Sequence, residues 1–455
     1  MEKLHAEQIS AWMNGKLYGN VKAFADKAVT DSRTLDKGSL FFAIRGDKFD
    51  GHQFIHAAFE KGASIVVSEI PFQAPPDCAV IVVTDTVKAL GDMARNYLNT
   101  FHIPVVGVTG SVGKTTTKDM IAQILSTQYR VHKTMGNFNN HIGLPLSVLQ
   151  LTREHTATVF EMGMSGMGEI EYLSRIIRPE IGVITNIGIS HIEKLGSRQN
   201  ILRAKLEMTK GMNQDGKLVL NGDDELLSGL EGLLPMPVIF YGINENISLH
   251  AFGIDSLGEA GVRFTVKLRD EDIEVQIGVP GIHNVSNALA AIACALELGI
   301  SNENIRKGLA GYSQEKMRMN IRQLNGIKVI DDAYNAAPAS IAAALSVLRE
   351  LSGHHRSIAV LGDMLELGAY ARDAHRQVGE LVSQYGIHRL VAIGELALGY
   401  IEGAVNAGMK AENTRHFSTG DTSVEYLKNY LQPDDVILFK GSRGMSLDKV
   451  IEALF

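Results

Sequence analysis

Short apolar runs separated by turn-forming residues occupy the first hundred positions of the chain. The runs are SLFFAI at residues 39–44, SIVVS at 64–68 and AVIVV at 79–83, and a proline-rich break lies at 71–77. Apolar runs of this length, bounded by glycine and proline, are typical of buried strands. The pattern predicts a small α/β domain, to which we assign residues 1–98.

A different pattern begins after Phe101. The segment IPVVGVTGSVGKTTTKDMIAQIL predicts a buried strand, a glycine-rich turn and an amphipathic helix with Ile121, Ile124 and Leu125 on one side. Further strand-like runs (TATVFEMG, IGVITNIG, GKLVLNG) alternate with helical patterns, as in a mostly parallel sheet with crossover helices. An antiparallel strand pair is expected at 251–280. We assign 99–316 to this central domain.

A third α/β pattern follows, which we assign to residues 317–455. Its expected strands are GIKVIDD, SIAVLGD, RLVAIG and DVILFKG, each followed by a helical stretch. The 455 residues suffice for three domains, and 45% of them are hydrophobic, so each domain can bury a core. The sequence therefore predicts a multidomain α/β protein.

Charge and cysteine content exclude several classes of protein. The net charge is −7 with lysine and arginine dispersed, which disfavours a nucleic-acid surface. Cys78 and Cys294 are the only cysteines, so a disulfide framework is not expected and a reducing compartment is the simplest reading. No apolar run is long enough for a membrane span and the first residues lack a signal core, so we expect a cytoplasmic protein.

The loop GVTGSVGKTT lies between a predicted strand and a predicted helix, which is the context of a phosphate-binding loop. Gly110 and Gly113 allow backbone N–H groups to turn inward, Lys114 can reach terminal phosphates, and Thr115 can offer its hydroxyl to Mg²⁺. Val108 stands where the strict motif has its first glycine, so an ordinary glycine-rich turn is the alternative. The loop predicts a nucleoside triphosphate as ligand.

Glu161 ends a predicted strand, at the sheet edge where open α/β sheets bind ligands. It is our first candidate for a Mg²⁺ ligand, and a solvated or helix-capping carboxylate is the alternative. His191 and Lys205 follow the next strand. A buried histidine is commonly a core residue, and a helical lysine normally reaches solvent, so residue type alone assigns neither of them a function.

Eight segments, which together span essentially the whole chain, resemble the Mur ligases, the ATP-dependent amide-bond-forming enzymes of cell-wall precursor synthesis. They are TDSRTLDKGSLFFAIRGDKFDGHQFI, TGSVGKTTTK, KTMGNFNNHIGLPLSVL, FEMGMSGMGEI, TNIGISHIEKLGSRQNILRAKLEM, GIHNVSNALAA, IDDAYNAAPASI and VLGDMLELG. The last two, with KMRM before them, resemble the member that adds D-alanyl-D-alanine to UDP-MurNAc-tripeptide. The resemblance implies a three-domain Mur ligase architecture: a small α/β domain binding the UDP-sugar, a central P-loop-type ATPase domain and a Rossmann-like domain that closes over ATP and binds the dipeptide.

The resemblance also implies roles for individual residues. ATP would be bound by Gly110, Ser111, Val112, Gly113, Lys114, Thr115, Thr116, Asn284, Asn287, Arg318 and Asp332. A pair of Mg²⁺ ions would be held by Thr115, Glu161, His191 and a carbamylated Lys205. The catalytic set would be Lys114, Glu161, His191, Lys205 and Arg318. The muramoyl and dipeptide substrates would meet Ser32, Arg33, Gly46, Asn137, Asn139, Asn140, Tyr334 and Asn335.

Several of these assignments have structural alternatives. Asn284 and Asn287 could cap a helix instead of facing adenine, and the substrate-side residues could be turn or capping residues. The segment IDDAYNAAPASI departs from the resemblance at Ala337, which stands where many relatives have asparagine.

The implied reaction is an ATP-driven ligation through an acyl phosphate, carried out by a monomer. The resemblance leaves open whether the tripeptide ends in lysine or diaminopimelate. Alternatives are another Mur-type amino-acid ligase, a folylpolyglutamate synthetase, a P-loop NTPase switch or a catalytically silent binding module. Dependence of phosphate release on an acceptor amine separates the ligases from the switch.

Overall fold

The computed structural model describes residues 1–46, 49–268, 271–314 and 316–455. Residues 47–48 of the first family-like segment and 269–270 of the expected strand pair lie outside the described residues. The chain divides into two compact units. The first unit consists of Met1–Thr109, Gln128–Val183 and Ala204–Leu218, and the second of Gly110–Thr127, Ile184–Arg203 and Val219–Phe455.

The strands are numbered in chain order. They are β1 (Leu4–His5), β2 (Lys16–Gly19), β3 (Phe24–Ala25), β4 (Lys27–Val29), β5 (Ser39–Phe42), β6 (Ala63–Ser68), β7 (Ala79–Val82), β8 (Val105–Thr109), β9 (Val131–Lys133), β10 (Ala157–Glu161), β11 (Ile181–Ile184), β12 (Lys217–Asn221), β13 (Val238–Gly242), β14 (Leu249–Ser256), β15 (Val262–Lys267), β16 (Asp272–Ile277), β17 (Asn320–Leu324), β18 (Ile327–Asp331), β19 (Ser357–Gly362), β20 (Arg389–Ile393), β21 (Thr414–Phe417) and β22 (Val436–Lys440).

The helices are numbered in the same way. They are α1 (Ala6–Trp12), α2 (Ile55–Glu60), α3 (Thr86–Leu98), α4 (Lys114–Leu125), α5 (Gly143–Val148), α6 (Glu169–Ile177), α7 (Ile192–Leu195), α8 (Arg198–Leu206), α9 (Glu225–Ser228), α10 (His283–Glu297), α11 (Asn302–Ala310), α12 (Pro338–Ser352), α13 (Ala371–Gln384), α14 (Leu398–Asn406), α15 (Gly420–Tyr430) and α16 (Leu447–Leu454). Short 3₁₀ helices lie at Gly51–Phe54, Glu207–Lys210, Gly258–Ala260, Gly368–Tyr370, Ala411–Asn413 and Arg443–Met445. Within the described parts of the chain, no helix has the length and apolar content needed to cross a bilayer.

The first unit contains a five-stranded sheet in the order β2-β7-β6-β5-β4. Strands β4 to β7 are parallel and β2 runs antiparallel to β7. The three apolar runs of the sequence become β5, β6 and β7, and Phe41, Val66 and Val80 are buried together in the core. The three strands predicted from the apolar runs are therefore present and lie side by side in one sheet.

The parallel strands β8, β10 and β9 also belong to the first unit. β10 lies between the other two, with Phe160 opposite Gly107. β11 is the next strand on the other side of β8. All five residues of β8 and of β10 are buried, as expected for strands covered on both faces. Glu161 is the last residue of β10, at the strand end where the sequence places it.

In the second unit, strands β13 to β16 are neighbours in the order β16-β15-β14-β13. The segment 251–280, expected to form a strand pair, contributes to three strands, because β14 and β15 are antiparallel and so are β15 and β16. Gly258 and Gly261 have φ angles of 62° and 101°, which break the extended run after β14. An additional turn therefore divides what the sequence pattern presents as two strands.

The second unit ends in a six-stranded sheet with the order β17-β18-β22-β19-β20-β21. β18, β22, β19, β20 and β21 are parallel, and β17 is antiparallel to β18. The four strands expected from the sequence are β18, β19, β20 and β22. The sequence pattern missed β17 and β21 because these edge strands are largely polar and only partly buried.

Candidate active site

Two glycines of the phosphate loop have conformations and neighbours that exclude a side chain. Gly113 precedes α4 with a φ of 81°, and a Cβ built on it would lie 2.5 Å from Asn287 Oδ1. A Cβ on Gly110 would lie 1.8 Å from Thr185 Oγ1. The glycines therefore allow a close approach of the backbone at the amino terminus of α4, which is the geometry that binds phosphate.

Lys114 is the first residue of α4, and its ammonium lies over the preceding loop. Lys114 Nζ donates to Gly110 O at 3.0 Å and to Ser111 O at 3.3 Å. Thr115 is buried in the first turn of the helix. The Lys114 ammonium and the Thr115 hydroxyl therefore lie at the amino terminus of a helix. This arrangement suits the phosphates of a nucleoside triphosphate and the metal ion that accompanies them.

Asn284 and Asn287 are buried in the first turns of α10 and contact each other. Asn287 Nδ2 donates to Asn284 Oδ1 at 3.1 Å, and Asn284 Nδ2 donates to Pro280 O at 2.8 Å. Asn287 Oδ1 also accepts a hydrogen bond from Thr117 Oγ1 of α4 at 3.2 Å. Neither side chain caps α10, since the helix has no side-chain cap. The pair joins α10 to the phosphate-loop helix.

His191 lies between β11 and α7 and has a left-handed backbone with a φ of 62°. His191 Nδ1 forms a hydrogen bond with a carboxylate oxygen of Glu366, whose φ of 63° is also left-handed. Non-glycine residues seldom adopt this conformation, and it clusters at functional sites. Glu366 belongs to the segment VLGDMLELG, but the sequence reasoning assigned it no role.

Glu161 is 2% exposed and is fixed by two neighbours in the first unit. Its carboxylate Oε1 accepts a hydrogen bond from Asn139 Nδ2 at 2.7 Å, and its backbone N–H donates to Thr134 Oγ1 at 3.0 Å. A Cβ on Gly163 would lie 2.9 Å from the Asn139 carboxamide, so glycine is required beside this pair. A predicted metal ligand and a predicted substrate residue are thus in direct contact.

Lys205 is 1% exposed, so it is not the solvent-reaching lysine that its residue type suggests. Two residues further on, the carboxylate of Glu207 accepts hydrogen bonds from Gly168 N at 2.8 and 2.9 Å. Glu207 thereby satisfies the amino terminus of α6 from a distant part of the chain. The sequence reasoning did not identify this role of Glu207.

Asn137 and Asn140 belong to the same loop as Asn139. Asn137 O accepts a hydrogen bond from Asn139 N at 2.8 Å. Asn140 Oδ1 accepts hydrogen bonds from Ile142 N at 3.1 Å and Gly143 N at 2.8 Å, so its side chain closes the turn that precedes α5.

Arg318 stacks on Tyr334, with its guanidinium carbon 4.1 Å from the ring centroid. Nearby in sequence, Asp332 accepts a hydrogen bond from Met319 N and forms an ion pair of 2.5 Å with Lys440. Lys440 Nζ also donates to Asn335 O at 3.0 Å. Lys440 was missed by the sequence reasoning, although its place at the carboxyl end of β22 was the signal available.

Burial raises the pKa of Asp331, at the end of β18, even though Arg322 contacts its carboxylate. Two neighbouring carboxyl groups at this strand end therefore have different partners. Asp332 pairs with a buried lysine, whereas Asp331 faces a half-exposed arginine.

The predicted UDP-sugar residues lie in turns of the first unit. Arg33 chelates the Asp31 carboxylate at 2.7 to 3.1 Å, and this contact lowers the pKa of Asp31 to about 2. Ser32 O accepts a hydrogen bond from Lys61 Nζ, and Gly46 N donates to Phe49 O at 2.9 Å.

His52, in the same family-like segment, is buried with a defined tautomer. Its Nε2 accepts a hydrogen bond from Glu69 N at 3.0 Å, so Nδ1 carries the proton and donates to Asp50 Oδ1 at 2.6 Å. The backbone N–H and ring of His52 lower the pKa of Asp50.

The predicted site residues are therefore distributed over both units. The second unit contains the phosphate loop, the asparagines of α10, His191 and Arg318, and the first contains Glu161, Asn139 and Lys205. Among the residues that the structure describes, no group of three or more His, Cys, Asp or Glu side chains could hold a metal ion. A Mg²⁺ site would therefore need other oxygen donors, such as hydroxyl groups, phosphates and water.

Comparison with known proteins gives consistent matches along the chain. The family models that match are "Mur ligase family, catalytic domain" at residues 28–106, "Mur ligase middle domain" at 108–295 and "Mur ligase, glutamate ligase domain" at 317–443. The UDP-N-acetylmuramoyl-tripeptide–D-alanyl-D-alanine ligase of Bacillus subtilis is 42% identical over 93% of this chain and 92% of its own length.

Solved structures agree with these matches. The crystal structure of MurF from Acinetobacter baumannii superimposes with a TM-score of 0.92 at 32% identity, covering 100% of this chain and 99% of that protein. MurF from Thermotoga maritima in complex with ADP superimposes with a TM-score of 0.82 at 28% identity, covering 94% and 96%.

Proposed function

The chain belongs to the Mur ligase family, and from that premise we propose that it joins D-alanyl-D-alanine to UDP-MurNAc-tripeptide with the conversion of ATP to ADP and phosphate. The product is UDP-MurNAc-pentapeptide, a peptidoglycan precursor. The fold is the three-domain α/β architecture of this family. We place the domain boundaries at residues 98 and 316.

The observation that carries the ATP-dependent step is the phosphate loop. Gly110 and Gly113 leave no room for side chains, and Lys114 lies over the loop at the amino terminus of α4. On binding, the Lys114 ammonium would exchange the Gly110 and Ser111 carbonyls for phosphate oxygens. A charged acceptor is a stronger partner for an ammonium than a neutral carbonyl, so this exchange favours binding.

A carboxylate does not condense with an amine unaided. The terminal carboxylate of the tripeptide would attack the γ-phosphorus of ATP, forming an acyl phosphate and releasing ADP. The amine of the dipeptide would then attack the acyl carbon, lose a proton, and expel inorganic phosphate from the tetrahedral intermediate. Lys114 and Arg318 would stabilise the negative charge on the transferring phosphoryl group.

The oxygen donors that the resemblance assigns to the metal are of the types that Mg²⁺ prefers. Mg²⁺ keeps several waters and typically takes one or two protein oxygens plus substrate phosphates. We assign the Glu161 carboxylate and the Thr115 hydroxyl to one ion. Bound there, Mg²⁺ would neutralise phosphate charge. We assign His191 and a carbamylated Lys205 to a second ion, because a carbamate supplies the oxygen donors that a lysine ammonium lacks.

We assign adenine and ribose recognition to Asn284, Asn287 and Asp332. The muramoyl substrate would meet Ser32, Arg33, Gly46, Asn137, Asn139 and Asn140, and the dipeptide side would meet Tyr334 and Asn335. The substrates are ATP and a nucleotide sugar, and both cysteines are free thiols, so we place the reaction in the cytoplasm. We expect a monomer, and sedimentation equilibrium measures this directly.

The test is phosphate release from MgATP with UDP-MurNAc-tripeptide, measured with and without D-alanyl-D-alanine, with the product mass determined. We expect release that requires both substrates and a product whose mass is that of the pentapeptide. The matched control is Lys114→Met, which keeps the helix and removes the ammonium, and it should lose turnover. ATP turnover that ignores the dipeptide would overturn the assignment and indicate an NTPase switch.

A further inference from the structure

We propose that Asn186, together with Thr185, is a positioning residue that sets the direction of the phosphate-loop peptides and thereby the resting place of the Lys114 ammonium. The inference rests on the proposed function, because it concerns the site for ATP. Both residues lie in the segment TNIGIS after β11, in the same unit as the loop. Neither residue is assigned a role by the family resemblance described above.

The Asn186 carboxamide holds both polar groups of Val112. Asn186 Oδ1 accepts a hydrogen bond from Val112 N at 3.0 Å, and Asn186 Nδ2 donates to Val112 O at 3.1 Å. Thr185 Oγ1 donates to the same carbonyl at 2.6 Å. Since one side of the carboxamide faces a donor and the other an acceptor, only one orientation of the amide satisfies both.

Two further hydrogen bonds extend the interaction to Ser111. Asn186 O accepts a hydrogen bond from Ser111 N at 3.1 Å, and Ser111 Oγ accepts one from Gly188 N at 2.8 Å. The turn at residues 185–188 therefore binds two consecutive residues of the loop through main chain and side chain.

Because the peptide group is planar and trans, these contacts also determine which way the loop carbonyls point. In each peptide the N–H and the C=O point to opposite sides. Ser111 N and Val112 N point toward Asn186, so the carbonyls of Gly110 and Ser111 point away from it, and both accept hydrogen bonds from Lys114 Nζ.

The next peptide has the reverse orientation. The carbonyl of Val112 points toward Thr185 and Asn186, so the N–H of Gly113 points away from them, at the amino terminus of α4. An N–H at this position is the type of donor that phosphate-binding loops present. The turn thus fixes two features at once, the direction of the Gly113 N–H and the carbonyls that hold Lys114.

The turn is itself fixed from the other side. Asn221 Nδ2 at the end of β12 donates to Thr185 O at 3.1 Å, and Asp224 Oδ2 accepts from Ile187 N at 2.7 Å. Asp224 also caps α9 through its other carboxylate oxygen. Because Asn221 and Asp224 hold the turn independently of the phosphate loop, the turn can orient the loop peptides.

The experiment compares Asn186→Ala, Thr185→Val and Thr185→Ser in the full chain. ATP binding is measured by calorimetry without the other substrates, and KM values for ATP, UDP-MurNAc-tripeptide and the dipeptide are measured in the complete reaction. Thr414→Val is the matched control, because Thr414 Oγ1 donates to a backbone carbonyl, Ala411 O, at 2.8 Å in the same unit but in β21. Thermal midpoints are recorded for every variant.

We expect Asn186→Ala to weaken ATP binding about ten-fold and Thr185→Val several-fold, as for the loss of one or two buried hydrogen bonds. Thr185→Ser, which keeps the hydroxyl, should restore affinity, and Thr414→Val should bind ATP like the parent. KM values for the other two substrates should stay within about two-fold. This selectivity would not arise from a general loss of structure.

Unchanged ATP affinity in folded Asn186→Ala and Thr185→Val would overturn the inference. So would equal losses for all three substrates, or a Thr185→Ser variant as weak as Thr185→Val. If Asn186→Ala does not fold, the two Thr185 variants decide the matter. A parent chain that binds no ATP would overturn the proposed function and this inference with it, whereas normal ATP binding by all variants would overturn the inference alone.

Discussion

Asn139 Nδ2 donates a hydrogen bond to Glu161 Oε1 at 2.7 Å, so the carboxamide of one loop orients the buried carboxylate at the end of β10. If Glu161 holds Mg²⁺, Asn139 determines which way its oxygens point. Residues that orient a metal ligand typically change metal affinity about 10- to 100-fold when they are removed. We therefore predict that Asn139→Ala raises the Mg²⁺ concentration needed for half-maximal phosphate release by at least about ten-fold.

The control for this prediction is Asn96→Ala. Asn96 Nδ2 is likewise a carboxamide donor in the first unit, but it lies on α3 and its acceptor is a backbone carbonyl, Trp12 O at 2.9 Å. It should leave the Mg²⁺ dependence unchanged. An Asn139→Ala variant with the Mg²⁺ dependence of the parent would show that Asn139 does not act through a metal at Glu161.

Gly113→Ala should abolish tight ATP binding. The substitution places a Cβ 2.5 Å from Asn287 Oδ1 and forces a non-glycine residue to a φ of 81°. Gly168→Ala is the matched control, because Gly168 also precedes a helix with a φ of 83° but has nothing within 4 Å of its Cβ position. Both variants carry backbone strain of about 1 kcal/mol, and only Gly113→Ala also has the clash. Calorimetric ATP titration of both variants separates the two effects, and equal affinity in both would contradict the role of the clash.

The sequence predicts those features that local chemistry determines. Gly113 precedes a lysine and follows an apolar strand, which is sufficient to predict the loop, and Glu161 is placed correctly at a strand end. Contacts between distant residues are not encoded locally. Glu366 meets His191 from 175 positions away, and Asn186 meets Val112 from 74 positions away. Their partners follow only from how the chain folds, which no periodicity reveals.

The sequence pattern also does not predict which polar side chains are buried. Lys205 lies on α8 among charged and polar neighbours, so its periodicity gives no reason to expect 1% exposure. β17 and β21 were missed for the related reason that a sheet edge does not require a buried face.

The free energy of unfolding should decrease as the pH is lowered from 6.5, because of His132. Burial lowers the pKa of its imidazole to about 4, although the ring keeps a hydrogen bond to Ser147 O at 2.8 Å. Between pH 6.5 and 4 the unfolded chain binds a proton that the folded protein excludes, so the free energy of unfolding decreases as the pH falls. The full effect of this one group is roughly 3 kcal/mol near pH 4.

Urea denaturation of the parent and His132→Gln between pH 7.5 and 5 measures this effect. The variant should lose less stability than the parent over this range, whatever its stability at pH 7.5. His56→Gln is the control, because His56 is exposed, and its slope should follow that of the parent. Parallel slopes for all three proteins would show that His132 does not contribute to the pH dependence.

The ion pair between Asp332 and Lys440 should stabilise the second unit much more than a surface pair does. Lys440 is 2% exposed and its ammonium has two partners, Asp332 and the carbonyl of Asn335. Asp332→Asn removes the carboxylate charge and leaves the buried ammonium without its counter-ion. Breaking a buried pair in this way typically costs about 3–5 kcal/mol, whereas an exposed pair contributes about 0–1 kcal/mol.

We therefore predict that Asp332→Asn lowers the free energy of unfolding by about 3 kcal/mol or more, and that adding Lys440→Met recovers part of the loss because no charge then remains buried without a partner. The control is Lys88→Met, since Lys88 forms a 2.7 Å ion pair with Asp92 on the exposed side of α3. It should cost no more than about 1 kcal/mol. Denaturant titrations of Asp332→Asn, Lys440→Met, the double variant and Lys88→Met, together with the parent, measure the coupling between Asp332 and Lys440. Additive losses in the double variant would mean that Asp332 and Lys440 stabilise the fold independently, and that Asp332 is held in place mainly by its hydrogen bond from Met319 N.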